Sequence, residues 1–308
     1  MKDIKIKAYL YPNPSFEGQT LTNIWSECYK MKNEPFLELV LCGLPAGEYA
    51  VELLSPVRLH QTFASPSGHK SIFFLHPTFA DPELAEVLVR VQKGTSVKEF
   101  VIPLSVHKLA GQVRDFSGQP FPAYVWAVSD DPNSPQAMVR TDSEGHFTLW
   151  YPEGKALRVF IDDESYSRTT YECWIVAEEL KDDVSLDPRV GDFELWGLHA
   201  WRTQLNWQLY FWPCSLPLDL RSKRSGWRLP HIPRLTKEEI TVRINGAESQ
   251  IKGLHRVRVW AGEGKDYLAH ILELPLTEKE RNPCGPTLIQ VEVHTATRGC
   301  GEAWYIAW

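Results

Sequence analysis

The sequence lacks the features that would place it at once in one of several functional classes. It has no continuous apolar run of about 18 residues, which a membrane-spanning helix needs. With a formal net charge of −6, it also lacks the surplus of lysine and arginine that binding to nucleic-acid phosphates requires. It contains no nucleophile elbow, phosphate-binding loop, dinucleotide fingerprint or His-Glu-x-x-His zinc motif. We therefore expect no membrane span, no nucleic-acid partner and no catalysis of these kinds.

Cysteine is sparse and follows no recognisable pattern. The six cysteines stand at positions 28, 42, 173, 214, 284 and 300, and no two of them have the Cys-x-x-Cys spacing of a zinc or redox motif. Cys284 and Cys300 are the pair that could close a hairpin as a disulfide. Free thiols in a reducing compartment are the simpler expectation, and the sequence predicts no metal site and no cofactor.

The N-terminus has no apolar leader. Residues 4–10 alternate apolar and polar side chains, which predicts a first strand rather than a signal peptide. The sequence also has no Asn-x-Ser/Thr acceptor for glycosylation. These observations favour a cytoplasmic protein, and an extracellular location is the alternative if a leader has been removed.

Turn signals concentrate between Leu109 and Leu157. Residues 115–118 and 142–145 each begin with an aspartate, which can bond the backbone two residues on, and end with a glycine, which tolerates a positive φ. The second turn predicts a hairpin that joins residues 138–141 to residues 146–150, where apolar and polar side chains alternate. Pro152 ends that strand, because proline cannot donate to a sheet.

The same residues form an ordered motif. Its members are Gly111, Val113, Asp115, Gly118 and Pro120, then Thr141, Asp142, Gly145 and Phe147, then Pro152 and Gly154. The motif resembles that of the carboxypeptidase regulatory-like domain, a transthyretin-like β-sandwich, over about residues 107–166. This resemblance implies a sandwich in the middle of the chain. It carries over no catalytic residue, because the fold alone does not specify a chemistry.

The pattern as a whole predicts an all-β protein of tandem β-sandwich domains, Ig-like or transthyretin-like, with little helix. We place the domains at residues 1–105, 106–200 and 201–308, the last with a long loop over residues 213–234. In the first domain, Asp81-Pro82 could begin a short helix, whereas residues 87–91 prefer a strand. The sequence leaves these two alternatives open.

Aromatic and basic residues supply the binding candidates. Many of the 12 tryptophans lie near the junction of the second and third domains, where core packing accounts for most of them. Leu205, Trp207 and Phe211 alternate with more polar residues, so Tyr210 and Trp212 are expected to face away from the core. The long loop contributes a basic and aromatic patch. The predicted binding residues are Tyr210, Trp212, Arg221, Arg224, Trp227 and Arg228.

Two further patterns resemble those of metal sites, but each has a simpler explanation. His270 and Glu273 have the spacing of a carboxypeptidase zinc motif, but on a strand they point to opposite faces and cannot hold one ion. Acidic clusters at residues 130–131 and 162–164 could supply oxygen ligands to calcium. Their spacing matches no calcium-binding loop, so we expect solvated loops.

These observations predict a non-catalytic protein-interaction or scaffold protein whose partner is another protein. A carbohydrate-binding or cell-surface adhesion module is the alternative, because exposed aromatic rings stack on the C–H faces of sugars. An enzyme of unrecognised type is the third possibility. We expect no enzymatic activity, since no catalytic motif is found.

Overall fold

The computed structural model describes residues 4–13, 34–128, 137–225, 233–260, 266–281 and 283–308. Over these residues the chain is built almost wholly of strands, with two short α-helices and two single turns of 3-10 helix. The predicted all-β fold class is therefore confirmed. Among the described helices, none has the length and apolar character needed to cross a bilayer.

The first core is a sandwich of two sheets. Its strands are β1 (Lys5–Tyr11), β2 (Phe36–Leu44), β3 (Gly47–Ser55), β4 (Leu59–Ser65), β5 (Gly68–Leu75), β6 (Glu86–Lys93) and β7 (Ser96–Pro103). One sheet has the order β1-β2-β5 and the other the order β4-β3-β6-β7. Their inner faces meet in an apolar core that includes Leu39, Val51 and Val89. Residues 87–91 are thus strand, and the 3-10 turn before them covers only Pro77–Ala80.

The second core is also a sandwich. Its strands are β8 (Val106–Gln112), β9 (Arg114–Asp115), β10 (Tyr124–Ala127), β11 (Ala137–Arg140), β12 (His146–Pro152), β13 (Leu157–Asp162), β14 (Cys173–Ala177), β15 (Val184–Ser185) and β16 (Arg189–Val190). A sheet of order β12-β8-β15 packs on neighbouring strands of order β11-β10-β13-β14. Leu109 and Leu149 from the first layer meet Val125 and Ile161 from the second.

Both predicted aspartate turns are present. Asp115 Oδ1 accepts the backbone N–H groups of Ser117 and Gln119 at 2.8 and 2.9 Å. Asp142 Oδ1 accepts those of Glu144 and His146 at 2.9 and 2.8 Å. The Ser117 hydroxyl also donates to Asp115 Oδ1, at 2.7 Å. This bond and the backbone hydrogen bonds stabilise the ionised carboxylates and lower the pKa of both aspartates.

The hairpin predicted across the second turn is wrong. β11 pairs with β10, and β12 pairs with β8, so residues 138–141 and 146–150 lie in different layers. The turn therefore carries the chain from one sheet to the facing sheet. Its residues specify a reversal of direction, and they do not specify whether the two strands pair or pack face to face.

The third core completes the chain. Its strands are β17 (Phe193–Arg202), β18 (Asn206–Ser215), β19 (Ile240–Ile244), β20 (Ala247–Ser249), β21 (Gly253–Trp260), β22 (Asp266–Pro275), β23 (Thr287–Thr295) and β24 (Gly299–Ala307), and its helices are α1 (Leu216–Ser225) and α2 (Glu278–Arg281). A four-stranded sheet of order β17-β18-β22-β21 packs on β24-β23-β19-β20. The predicted loop over residues 213–234 is wrong for its first part, because β18 runs to Ser215 and α1 follows.

One sheet belongs to both the second and the third core. β14 pairs with β24 in parallel, which joins the two cores into an eight-stranded sheet of order β11-β10-β13-β14-β24-β23-β19-β20. Ile175 and Ile306 face the second core, whereas Ala303 and Tyr305 face the third. The central strands are therefore buried on both faces. The predicted boundaries at residues 105 and 200 stay predictions, and β17 runs across the second of them.

A buried ion network fixes this junction. Arg189 contacts both Glu302, which is fully buried, and Glu292, with guanidinium to carboxylate distances of 2.6 and 2.8 Å. The Arg189 backbone N–H, Gln290 and Trp304 each donate a further hydrogen bond to Glu302, at 2.8 Å. Because every oxygen of this carboxylate has a partner, its burial is tolerated.

Candidate functional site

The sheet of order β17-β18-β22-β21 has one face on the third core and one face open. Along β18, Trp207, Leu209 and Phe211 are buried, whereas Tyr210 and Trp212 are half-buried on the other side. The predicted alternation is therefore confirmed for these residues. Leu205, which was expected to join the buried set, lies before the strand and is 72% exposed.

A β-bulge keeps the aromatic residues of β17 on this open face. Trp196 stands opposite Trp212, the register shifts by one residue, and His199 then stands opposite Tyr210. Without the bulge, positions 196 and 199 would point to opposite faces. Gly197 lies within it at a φ of +66°, where a side chain would be strained. Trp201 follows on the same face.

We call Trp196, His199, Trp201, Tyr210 and Trp212 the aromatic face. The Trp196 and Trp212 rings have centroids 4.8 Å apart at an angle of 44°. The Trp212 indole donates to the Tyr210 hydroxyl, and the His199 and Trp201 rings stack with centroids 5.9 Å apart. Trp196 is 40% exposed and Trp201 is 36% exposed, so the rings are fixed by one another while part of their surface meets solvent.

Polar groups adjoin the aromatic face on the same side of the sheet. Gln208 stands opposite both Trp201 and Glu273. Glu273 Oε1 lies 3.4 Å from His255 Nε2 on β21. Gly253 leaves room for this pair, because a Cβ there would lie 2.8 Å from Glu273 Oε2. An amide, a carboxylate and an imidazole therefore border the rings.

An unusual carboxylate lies at the end of the aromatic face nearest to the second core. Glu194 precedes Trp196 by two residues and stands opposite Cys214, but it is buried and accepts a hydrogen bond from Trp174 Nε1 at 3.0 Å. Burial raises the pKa of Glu194 to about 7. Burial and this acid together raise the pKa of the Cys214 thiol well above its ordinary value. The carboxyl group of Glu194 therefore titrates close to neutrality.

Four of the six predicted binding residues lie on two described elements. Tyr210 and Trp212 belong to the aromatic face, and Arg221 is exposed on α1. Arg224 also lies on α1, but the position of its side chain is not described. Trp227 and Arg228 lie outside the described residues.

Sequence reasoning missed the contribution of β17. Trp196 and Trp201 are among the junction tryptophans, most of which the sequence assigned to core packing. Their common face is not evident from the sequence, since the two positions are not related by a period of two. The signal that could have found them is Gly197, because an isolated glycine within a strand pattern indicates a bulge.

The metal patterns weighed in the sequence have structural explanations. His270 is buried, stacks on Phe211 with centroids 5.8 Å apart, and has its pKa lowered to about 4 by burial. Glu273 lies on the opposite face of the sheet, as expected. Asp163 accepts hydrogen bonds from Ser165 and Thr170 within a turn, and residues 130–131 lie outside the described ranges.

No group of three or more His, Cys, Asp and Glu side chains that could hold a metal ion occurs among the described residues. Cys284 and Cys300, the pair considered for a disulfide, are both free.

A second surface feature lies on the first core. The outer face of the sheet β4-β3-β6-β7 carries a shallow depression of about 510 Å³. Small residues, Ala50, Ala64 and Gly94, form part of its lining, and Glu48 and His60 are exposed beside them. This depression offers polar groups to a ligand but no exposed tryptophan.

No protein-family model and no curated protein matches the chain. Solved structures show weak likeness. A DUF3823 family protein from Parabacteroides merdae is 11% identical, with 66% of this chain and 98% of that one covered and a TM-score of 0.21. A proposed carbohydrate binding protein from Bacteroides uniformis is 8% identical, with 65% of this chain and 97% of that one covered and a TM-score of 0.22. A bacterial ice-binding adhesin is 9% identical, with 98% of this chain and 96% of that one covered and a TM-score of 0.21. At these scores the likenesses carry no argument about function.

Proposed function

We propose that this protein is a non-catalytic binding protein that recognises carbohydrate through the aromatic face. One observation carries the proposal: the rings of Trp196 and Trp212 lie 4.8 Å apart on an open sheet face, and Trp196 keeps 40% of its surface exposed. The apolar C–H face of a sugar ring can cover such an indole and remove both surfaces from water.

The neighbouring polar groups suit the rest of a sugar. Sugar hydroxyls both donate and accept hydrogen bonds. Gln208 supplies an amide that does both, and Glu273 supplies a carboxylate that accepts. The face is open rather than enclosed, which favours a chain of sugars lying across the sheet over a single small molecule.

Protein binding is the second candidate function, because Trp and Tyr are also frequent at the energetic centres of protein interfaces. The exposed Arg221 on α1 favours it, since arginine is enriched at the same centres. The two candidates differ in which ligand the indole rings respond to.

The experiment is binding to a glycan array, followed by titration of tryptophan fluorescence with the oligosaccharides that bind. Trp196→Ala and Trp201→Ala are expected to weaken binding roughly tenfold or more. Trp260→Ala is the matched control, because Trp260 is 75% exposed on the other face of β21. Binding by the control at wild-type strength supports the proposal. Failure of every glycan to bind, or equal binding by all three variants, overturns it.

We further propose that residues 107–166 form a carboxypeptidase regulatory-like domain. The two aspartate turns at Asp115 and Asp142 support this proposal, together with the two facing layers that they connect. A domain of this kind would act as a rigid support for the aromatic face. The cytoplasmic location stays a prediction.

A further inference from the structure

β21 is an edge strand whose central residues are open to solvent on both faces. Among the described strands it pairs with β22 alone, and it ends the sheet order β17-β18-β22-β21. Four consecutive residues, 255 to 258, are exposed, whereas a strand covering a core alternates buried and exposed positions. Trp260 is 75% exposed at its end. The outer backbone groups of such a strand are available to another extended chain.

β21 carries two arginines and no acidic residue, although the protein as a whole is acidic. Arg256, Arg258 and Trp260 share one face of the strand, and His255 and Val257 lie on the other. Arg256 donates to the Leu235 carbonyl oxygen at 2.5 Å. No ion pair involves Arg258 within the described part of the chain. A positive strand on a protein of net charge −6 therefore has charge left to offer a partner.

The same charges disfavour a second copy of this chain as the occupant. If two β21 strands paired antiparallel about Val257, Arg256 of one copy would stand opposite Arg258 of the other. Like charges directly opposite destabilise a pair of strands. An acidic strand in the same place would meet opposite charges instead. The arginines therefore select against self-association and for an acidic partner.

We propose that β21 docks an extended acidic peptide segment of another protein, which adds to the sheet as a fifth strand. Main-chain hydrogen bonds along the free edge would hold the segment. Acidic side chains at alternate positions would face Arg256 and Arg258, and an apolar or aromatic side chain at the next alternate position would cover Trp260. This inference is independent of carbohydrate binding, because it uses the opposite face of the sheet and its edge.

The test uses the full chain and a fluorescein-labelled peptide of eight residues, the length of β21. In this peptide glutamate alternates with threonine, and phenylalanine occupies one end. A matched peptide carries lysine in place of glutamate. Fluorescence anisotropy is measured for the wild type, Arg258→Glu, Trp260→Ala and, as the control on the first core, Arg58→Glu, where the arginine is also exposed.

The acidic peptide is expected to bind the wild type and the Arg58→Glu control alike, and to bind Arg258→Glu roughly tenfold more weakly. Arg258→Glu is expected to gain binding of the lysine peptide, a result that a misfolded variant could not give. Trp260→Ala is expected to bind the acidic peptide more weakly than the wild type does. Equal binding of the two peptides by the wild type, or no binding of either, overturns the proposal. A dimer of the wild type that sedimentation detects and that Trp260→Ala weakens also overturns it, in favour of a second copy.

Discussion

Two four-stranded sheets of this protein each cover an apolar core with their inner face, and they differ in the residues of their outer face. In the first core, β4-β3-β6-β7 covers an apolar interior, and its outer face carries Arg90, which bridges Glu52 and Glu99 at 2.9 and 2.7 Å. In the third core, β17-β18-β22-β21 covers a similar interior, but its outer face carries the tryptophan pair Trp196 and Trp212. The inner faces are alike because both must bury apolar surface for the chain to fold.

The outer faces are free of that requirement. A charged and polar outer face, as in the first core, is the ordinary solution for a sheet with one solvated side. Partly exposed indole rings contribute less to folding than buried ones, and they expose apolar surface to water at a cost. Their presence on one sheet and not the other is the contrast on which the proposed binding surface in the third core depends.

The largest expected effect tests whether the two interiors are equivalent. Leu53→Ala in β3 and Leu209→Ala in β18 both remove a fully buried side chain. Each is expected to lower the free energy of unfolding by about 2 to 5 kcal/mol, through lost burial and the cavity left behind. Urea unfolding monitored by circular dichroism measures both. A loss below about 1 kcal/mol in either variant would show that one sheet is not held by its interior.

A medium effect on stability is expected at Glu194, the buried acid beside the aromatic face of the third core. Because its pKa is raised in the folded protein, the folded state favours the neutral acid. Stability is therefore expected to fall as the pH rises from the ordinary value of 4.5 to about 7. The decrease attributable to this group is on the order of 1 to 3 kcal/mol.

Glu194→Gln keeps an oxygen that can accept from Trp174 but cannot ionise. Denaturant unfolding between pH 4 and pH 8 should show a smaller decline for this variant than for the wild type. Identical pH profiles of the two proteins would mean that Glu194 does not titrate in this interval.

The smallest effect belongs to the ion pairs of the first core. Side chains in this group are 32 to 48% exposed, so water and salt screen their interaction. Arg90→Ala is expected to destabilise the protein only slightly, and less at high ionic strength. Unfolding in low and high salt measures it. A loss that is large and independent of salt would contradict the view that this outer face is a solvated one.

Much of the fold could be predicted because its signals are local. The aspartate turns at Asp115 and Asp142, and the alternation along β18 that places Tyr210 outward, depend on residues close in the sequence. Whether the two strands joined by a turn pair with each other does not depend on nearby residues alone. The predicted hairpin after β11 was wrong for this reason. The helix α1 was missed because Pro217 and the serines and arginines around it are typical of loops.

The site was predicted only in part for the same reason. Tyr210 and Trp212 follow from one strand read alone, whereas Trp196 and His199 need the register of β17 against β18 and its bulge. The ion network of Arg189 and Glu302 needs the pairing of β14 with β24. No local pattern indicates that Trp174 will lie beside Ala303, since sequence-distant pairings are set by the packing of whole layers.

That pairing also has a consequence for how the protein is made. A ribosome synthesises β14 long before β24, so the edge that β24 will fill stays uncovered while most of the third core is still being translated. Contacts of such high sequence separation form slowly, and an uncovered edge can capture other nascent chains. The emerging polypeptide should therefore need chaperone protection until β24 has left the exit tunnel.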